Sequence, residues 1–183
     1  MKKLFSMMKL AASLFGVKRL DMKRQGKTLH GHNLFEMSDE QLFETVYLQN
    51  VDLVYLYPDE DTAFQQIKSE CRIVFTVSVF DMEIQNGGLC QFFVNSSETL
   101  ALHVNEYLEI VGAEEHLKLF ANFVRDNHID LNNLDSFRIS DIEEFSQQSE
   151  RYDFEAFDKA YSELPPLTDY ITEYIKANIS AFQ

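Results

Sequence analysis

The stretch Glu83-Ile-Gln-Asn86-Gly87-Gly88-Leu89-Cys90-Gln91-Phe92-Phe93-Val94-Asn95-Ser96-Ser97 decides how this chain folds, because it holds a helix stop, two large apolar anchors and a new helix start. Asn86 and Gly87 favour the left-handed conformation that ends a helix, and Gly88 turns the chain without steric cost. Leu89 is then expected to pack back on the helix just left. Gln91, Phe92 and Phe93 read as a short helical or irregular turn with two large apolar anchors. Asn95, Ser96 and Ser97 offer side-chain oxygens to the amides of the next helix. With Asn95 as the cap, Glu98 falls at the third helical position, where its charge complements the positive helix end.

Outward on the N-terminal side, Cys71-Arg-Ile-Val-Phe-Thr-Val-Ser-Val-Phe80 is rich in β-branched and aromatic residues and alone would read as a strand. No turn signal interrupts Asp61 to Asn86, and the Asn-Gly-Gly stop closes the run, so a single buried helix is expected there. Further upstream, Ser38-Asp39-Glu40-Gln41 is a capping-box start. Leu42, Phe43, Val46, Tyr47, Leu53 and Val54 follow at helical spacing, which predicts a helix over 38–56 ending before Pro58. Asp59, Glu60 and Asp61 then put three carboxylates on the first turn of the next helix.

On the C-terminal side, Leu100, Val104, Tyr107, Leu108 and Val111 form one apolar face that ends at Gly112, and Leu117, Phe120, Ala121 and Val124 form the next. Residues 128–139 read as a loop anchored by Leu131, Leu134 and Phe137. Ser140-Asp141-Ile142-Glu143 restarts helix through a capping-box-like sequence, and Phe154, Phe157, Tyr161 and Leu164 carry the apolar period to Pro165-Pro166. A last helix is predicted over 167–181. No repeat or second composition regime appears after residue 38, so the body reads as one all-α multi-helix domain.

Charge divides the chain in two. Of its 16 basic residues eight lie in residues 1–30, against one of its 30 acidic residues, Asp21. The first thirty residues are therefore net +7, and residues 31–183, with eight basic and 29 acidic residues, are net −21. A body this acidic repels nucleic acid, whose phosphates are gripped by Lys and Arg, and attracts basic protein surfaces. The expected organisation is a basic extension and linker over residues 1–33 and an acidic helical domain over 34–183.

Met1 to Val17 has the charged start and apolar run of a secretory signal, but Lys9 interrupts the run and too few apolar residues remain to span a bilayer. On a helix, Leu4, Met7, Met8, Leu10, Ala11, Leu14 and Phe15 share a broad face away from Lys2 and Lys9, so an amphipathic helix is expected. Such a segment suits an anionic membrane, a partner, or the chain's own acidic body. Cys71 and Cys90 share no metal or redox spacing and read as buried thiols of a reducing, cytoplasmic protein.

Chemistry is sparse. No P-loop, Rossmann glycine pattern, nucleophile elbow or paired zinc spacing is present. His103, Glu106 and Glu109 share a helix face that would ligate a divalent metal only with carboxylates from other helices, so a solvated face is the expected reading. His30 and His32 could chelate only as a pair in the linker. Glu83 and Gln91 flank the glycine block, where hydrogen bonds fixing the turn account for them. No enzyme activity, metal or cofactor is expected. What remains are acidic clusters at expected helix starts: Asp59, Glu60 and Asp61; Glu114 and Glu115; Asp141, Glu143 and Glu144; Glu150 and Asp153, followed by Glu155.

The residues Glu83, Asn86, Gly87, Gly88, Gln91, Phe92, Phe93, Asn95 and Ser96 resemble the shared motif of a bacterial family of small acidic helical proteins, long a domain of unknown function, that includes DNA-mimic proteins. The resemblance covers residues 60–127 most closely and leaves residues 1–30 without counterpart. It implies a helical, typically dimeric body whose carboxylates imitate DNA phosphates and occupy the DNA-binding face of a regulator or nuclease. Arg and Lys side chains that grip phosphate also grip carboxylates. An immunity protein against a toxin's basic cleft is the alternative that the same acidic surface allows.

Overall fold

The computed structural model describes residues 33–95 and 98–183. The N-terminal amphipathic segment, His30 and His32 therefore lie outside the described residues, as do Ser96 and Ser97.

Eight α-helices and no strand are found among the described residues. A short 3-10 turn, Leu34–Glu36, leads into α1, Asp39–Val54, then α2, Glu60–Gln66, and α3, Ser69–Asn95. After these come α4, Glu98–Ile110, α5, Glu114–Asp126, a 3-10 turn at Asp135–Phe137, α6, Ile142–Ser149, α7, Phe154–Ser162, and α8, Leu167–Ala177. A final 3-10 turn, Ile179–Phe182, ends the chain's described part.

The axis of the domain is α3, against which α1, α4, α7 and α8 all pack. Its first half is buried on every side, including Cys71 and every residue from Ile73 to Asp81. That is why a strand-like composition folds as helix: β-branched side chains cost helix propensity only tenths of a kcal/mol each, while burial of each is worth ~1.5–3 kcal/mol. Around it the aromatic residues interlock, with Phe80 edge-on to Phe92 at 5.0 Å and to Phe120 at 5.1 Å, and Phe93 stacked on Phe137 at 4.7 Å. Both cysteines are free and buried, and burial pushes the Cys90 thiol up to about 11.

Several expectations shift in detail. The continuous helix from Asp61 breaks at Ile67, whose extended backbone ends α2, and α2 then folds back on α3, with Phe64 edge-on to Phe75 at 6.2 Å. The Ser38 capping box is present, with Ser38 Oγ accepting from the Gln41 amide and Gln41 Oε1 from the Ser38 amide. At α6 the cap is Asp141 rather than Ser140: Asp141 accepts from the Glu144 amide, and Glu144 folds back to accept from the Ser140 amide and hydroxyl. Helix then stops at Glu150 and restarts at Phe154 under an Asp153 cap, so the stretch up to Pro165 is two helices.

Candidate functional site

The glycine block resolves into a kink with two polar fasteners. Gly88, not Asn86 or Gly87, takes the positive φ, at 78° with ψ 177°, while Gly87 is extended at φ −161°. A side chain at Gly88 would strike the Asp158 carboxylate, whose Oδ1 accepts the Leu89 amide at 2.8 Å. Gly87 is needed for space alone, since a Cβ there would meet the Gln91 side chain.

Beyond the kink, Glu83 Oε2 accepts from Gln91 Nε2 and from Asn95 Nδ2, both at 2.8 Å. One buried carboxyl oxygen thus ties the helix before the kink to the turn after it. Asn95, expected to cap the next helix through its side-chain oxygen, lies at the end of α3 with its side-chain amide donating to Glu83; Ser96 and Ser97, which join it to α4, lie outside the described residues. Glu83→Ala should leave two amide donors without an acceptor in the interior and cost about 2–3 kcal/mol in a urea titration, whereas Glu83→Gln, which keeps an acceptor oxygen, should cost under about half of that.

A second polar cluster lies on the other side of α3. Tyr161 Oη donates to Asp81 Oδ1 at 2.7 Å, with Gln85 at 3.5 Å, and the His116 ring meets Tyr161 and Tyr170 edge-on. Burial pushes the Asp81 carboxyl up, opposed by the Tyr161 and Gln85 hydrogen bonds and by His116. Burial pushes His116 down, opposed by Asp81, Glu115 and the Pro165 carbonyl. The sequence did not single out these residues, because Asp81 and His116 are joined only by the packing of α5 and α7 on α3. Both are buried, Asp81 8% and His116 1% exposed, and the rings of Tyr161 and Tyr170 border His116, which suits a structural part.

The metal reading of α4 finds little support in geometry. His103 Nδ1 lies 3.3 Å from Glu106 Oε2 on the helix surface and its ring stacks on Tyr107 at 5.1 Å. No group of three or more His, Cys, Asp or Glu that could hold a metal occurs among the described residues, and Glu109 does not join the pair.

The acidic candidates fall at three separate places. Asp59 caps α2 by accepting the Thr62 amide, Glu60 and Asp61 follow on its first turn, and Asp61 accepts the Thr99 hydroxyl of α4. Glu114 and Glu115 open α5 beside the Pro165 turn. Asp141, Glu143 and Glu144 open α6, while Glu150 closes it and Asp153 caps α7. Near this third group a depression of about 460 Å³ is lined by Arg138 and Arg151 together with Glu144, Gln148 and Glu150, so its charge is mixed.

The first place is different. Residues 33–67 carry eight acidic residues and no Lys or Arg, and α4 carries Glu98, Glu106 and Glu109 with no Lys or Arg. Asp61 with Thr99, and Phe64 against the His103 ring at 6.4 Å, hold α2 on the flank of α4. Val51 and Val54 of α1 share a core cluster with Ala63 and Phe64 of α2 and Leu100 of α4. The structure thereby assembles one side, α1–α2–α4, from segments without Lys or Arg; among the described residues Lys176 pairs at the far Asp39 end of α1 and Arg72 of α3 lies near Tyr107 of α4.

Over residues 65–178 the chain matches the DMP19-like protein family. The chain belongs to this family. The DMP19-like match, to a DNA-mimic protein family, runs from the end of α2 to the end of α8 and contains the kink, both polar clusters and the aromatic core. It leaves α1 and the α2 start, Asp59 to Asp61, outside. No curated protein and no solved structure matches the chain. No helix among the described residues is long and apolar enough to cross a membrane.

Proposed function

We propose that the acidic helical body is a non-enzymatic binding module that offers its carboxylates to the basic, DNA-gripping face of a DNA-binding regulator or nuclease. Membership of a DNA-mimic family supports the class of partner. The observation that carries the reading for this chain is the α1–α2–α4 side, built from segments that supply eight carboxylates in residues 33–67 without one Lys or Arg. Guanidinium and ammonium groups placed to meet phosphate accept carboxylate with the same charge-assisted hydrogen bonds. Caps and back-bonds hold Asp59, Asp61, Asp141 and Glu144 in fixed directions, which lowers the entropy lost when a partner engages them.

The test is competition. Full-length protein, used as bait in low salt, should retain a basic DNA-binding protein that duplex DNA then releases. Binding should weaken as salt rises, though less steeply than binding of that partner to DNA, since isolated carboxylates lack the condensed counterions of a phosphate array. A partner that holds DNA and this protein together, or whose affinity ignores salt, would sink the proposal.

A further inference from the structure

The α1–α2–α4 side carries exposed apolar residues as well as carboxylates. Leu53 on α1 and Leu56 in the turn before α2 are 38% and 76% exposed, and Leu102, one helical turn along α4 from Thr99, is 44% exposed. Large aliphatic groups set among like charges form a surface suited to a segment that is itself apolar and basic. The chain owns such a segment. Residues 1–17 contain Leu4, Met7, Met8, Leu10, Leu14 and Phe15 interspersed with Lys2, Lys3 and Lys9, and residues 1–30 are net +7.

Reach is not limiting. The described residues start at Asn33, and α1, of 16 residues, carries the chain about 24 Å from there to Leu53. Residues 18–33 extend to as much as about 55 Å, so residues 1–17 can return along α1 to the α2 corner. Tethering supplies an effective concentration in the ~mM range, enough to occupy a weak site.

We propose that residues 1–17 dock on the body's own α1–α2–α4 side, their apolar side chains on Leu53, Leu56 and Leu102 and their lysines among the carboxylates around Asp61. This goes beyond the partner reading, because the contact needs no partner. It also gives the family-unmatched N-terminal half of this surface an occupant within the same chain.

A spin label tests it on the full chain. Met7→Cys is labelled selectively, since Cys71 and Cys90 are buried. In dilute solution the label should broaden the amide signals of Leu53, Leu56 and Leu102 beyond all others, and raised salt should restore much of their intensity. Leu56→Asp, at a position exposed enough to leave the fold intact, should release the segment, with Leu102→Asp as the second variant. The proposal fails if these signals stay sharp or if another side of the body is broadened. It fails equally if broadening appears only between labelled and isotopically enriched molecules mixed together, which marks a second copy as the occupant. Immobilisation of the label only on anionic vesicles would overturn it in favour of a membrane surface.

Discussion

Gly88→Ala is expected to cost about 4 kcal/mol of folding stability, out of the ~5–15 kcal/mol typical of a domain. Two costs add. The backbone at φ 78°, ψ 177° lies where side chains are almost never found, and forcing alanine to stay there costs ~1–3 kcal/mol. The new methyl would also strike the Asp158 carboxylate, which must swing away and abandon the buried Leu89 amide, for another ~1–3 kcal/mol. Urea denaturation followed by circular dichroism measures the sum.

Two comparisons separate the terms. Asp158→Ala removes the acceptor without touching φ, so in the Gly88→Ala background its own cost should shrink, because the clash and the broken hydrogen bond are the same event counted once. Gly87→Ala should be milder, since φ −161° suits any residue and the Gln91 side chain can give way. If Gly87→Ala proves the more damaging of the two, the kink is not held by the Gly88 conformation. Such a result would also weaken the view of this block as the joint that aims the two halves of α3.

The architecture was legible where a local rule and the packing agreed. Ser38 and Gln41 formed the capping box their spacing required, and the Asn-Gly-Gly stop fell where a buried helix had to end. Details failed where side chains had a distant alternative. In sequence Asn95 reads for its side-chain oxygen alone, while its amide reaches Glu83, twelve residues earlier, a buried contact that no local rule signals. Asp158 decides which glycine takes the positive φ, and it lies 69 residues from the amide it binds. The acidic surface was legible as a count but not as a place: ten candidate carboxylates lie at helix ends that the fold sends to three regions. The missing signal was the absence of Lys and Arg between residues 33 and 67, which marks one side once α2 is known to lean on α4.

Removing the Tyr161 hydroxyl should expose the cost of burying Asp81. Tyr161→Phe keeps the ring against Phe80 and Phe157 but deprives the carboxylate of its 2.7 Å donor, at about 2 kcal/mol, or a fall in Tm of roughly 4–8 °C. The loss should depend on pH. Tyr161 holds the Asp81 pKa lower than burial alone would, so the hydroxyl favours the ionised form and matters most above the folded-state pKa of Asp81. As pH falls through that value the gap between wild type and Tyr161→Phe should narrow. In the wild type the two buried groups pull in opposite directions. Asp81, raised above 3.8, contributes stability below 3.8 that is lost as pH rises through its folded value. His116, lowered below 6.5, contributes stability above 6.5 that is lost as pH falls through its folded value. His116→Gln should therefore remove the loss of stability on acidification just below pH 6.5 and leave the Asp81 contribution, of opposite slope, uncovered. A Tyr161→Phe penalty that is constant across the acid range would show that the hydroxyl serves packing and not the charge on Asp81.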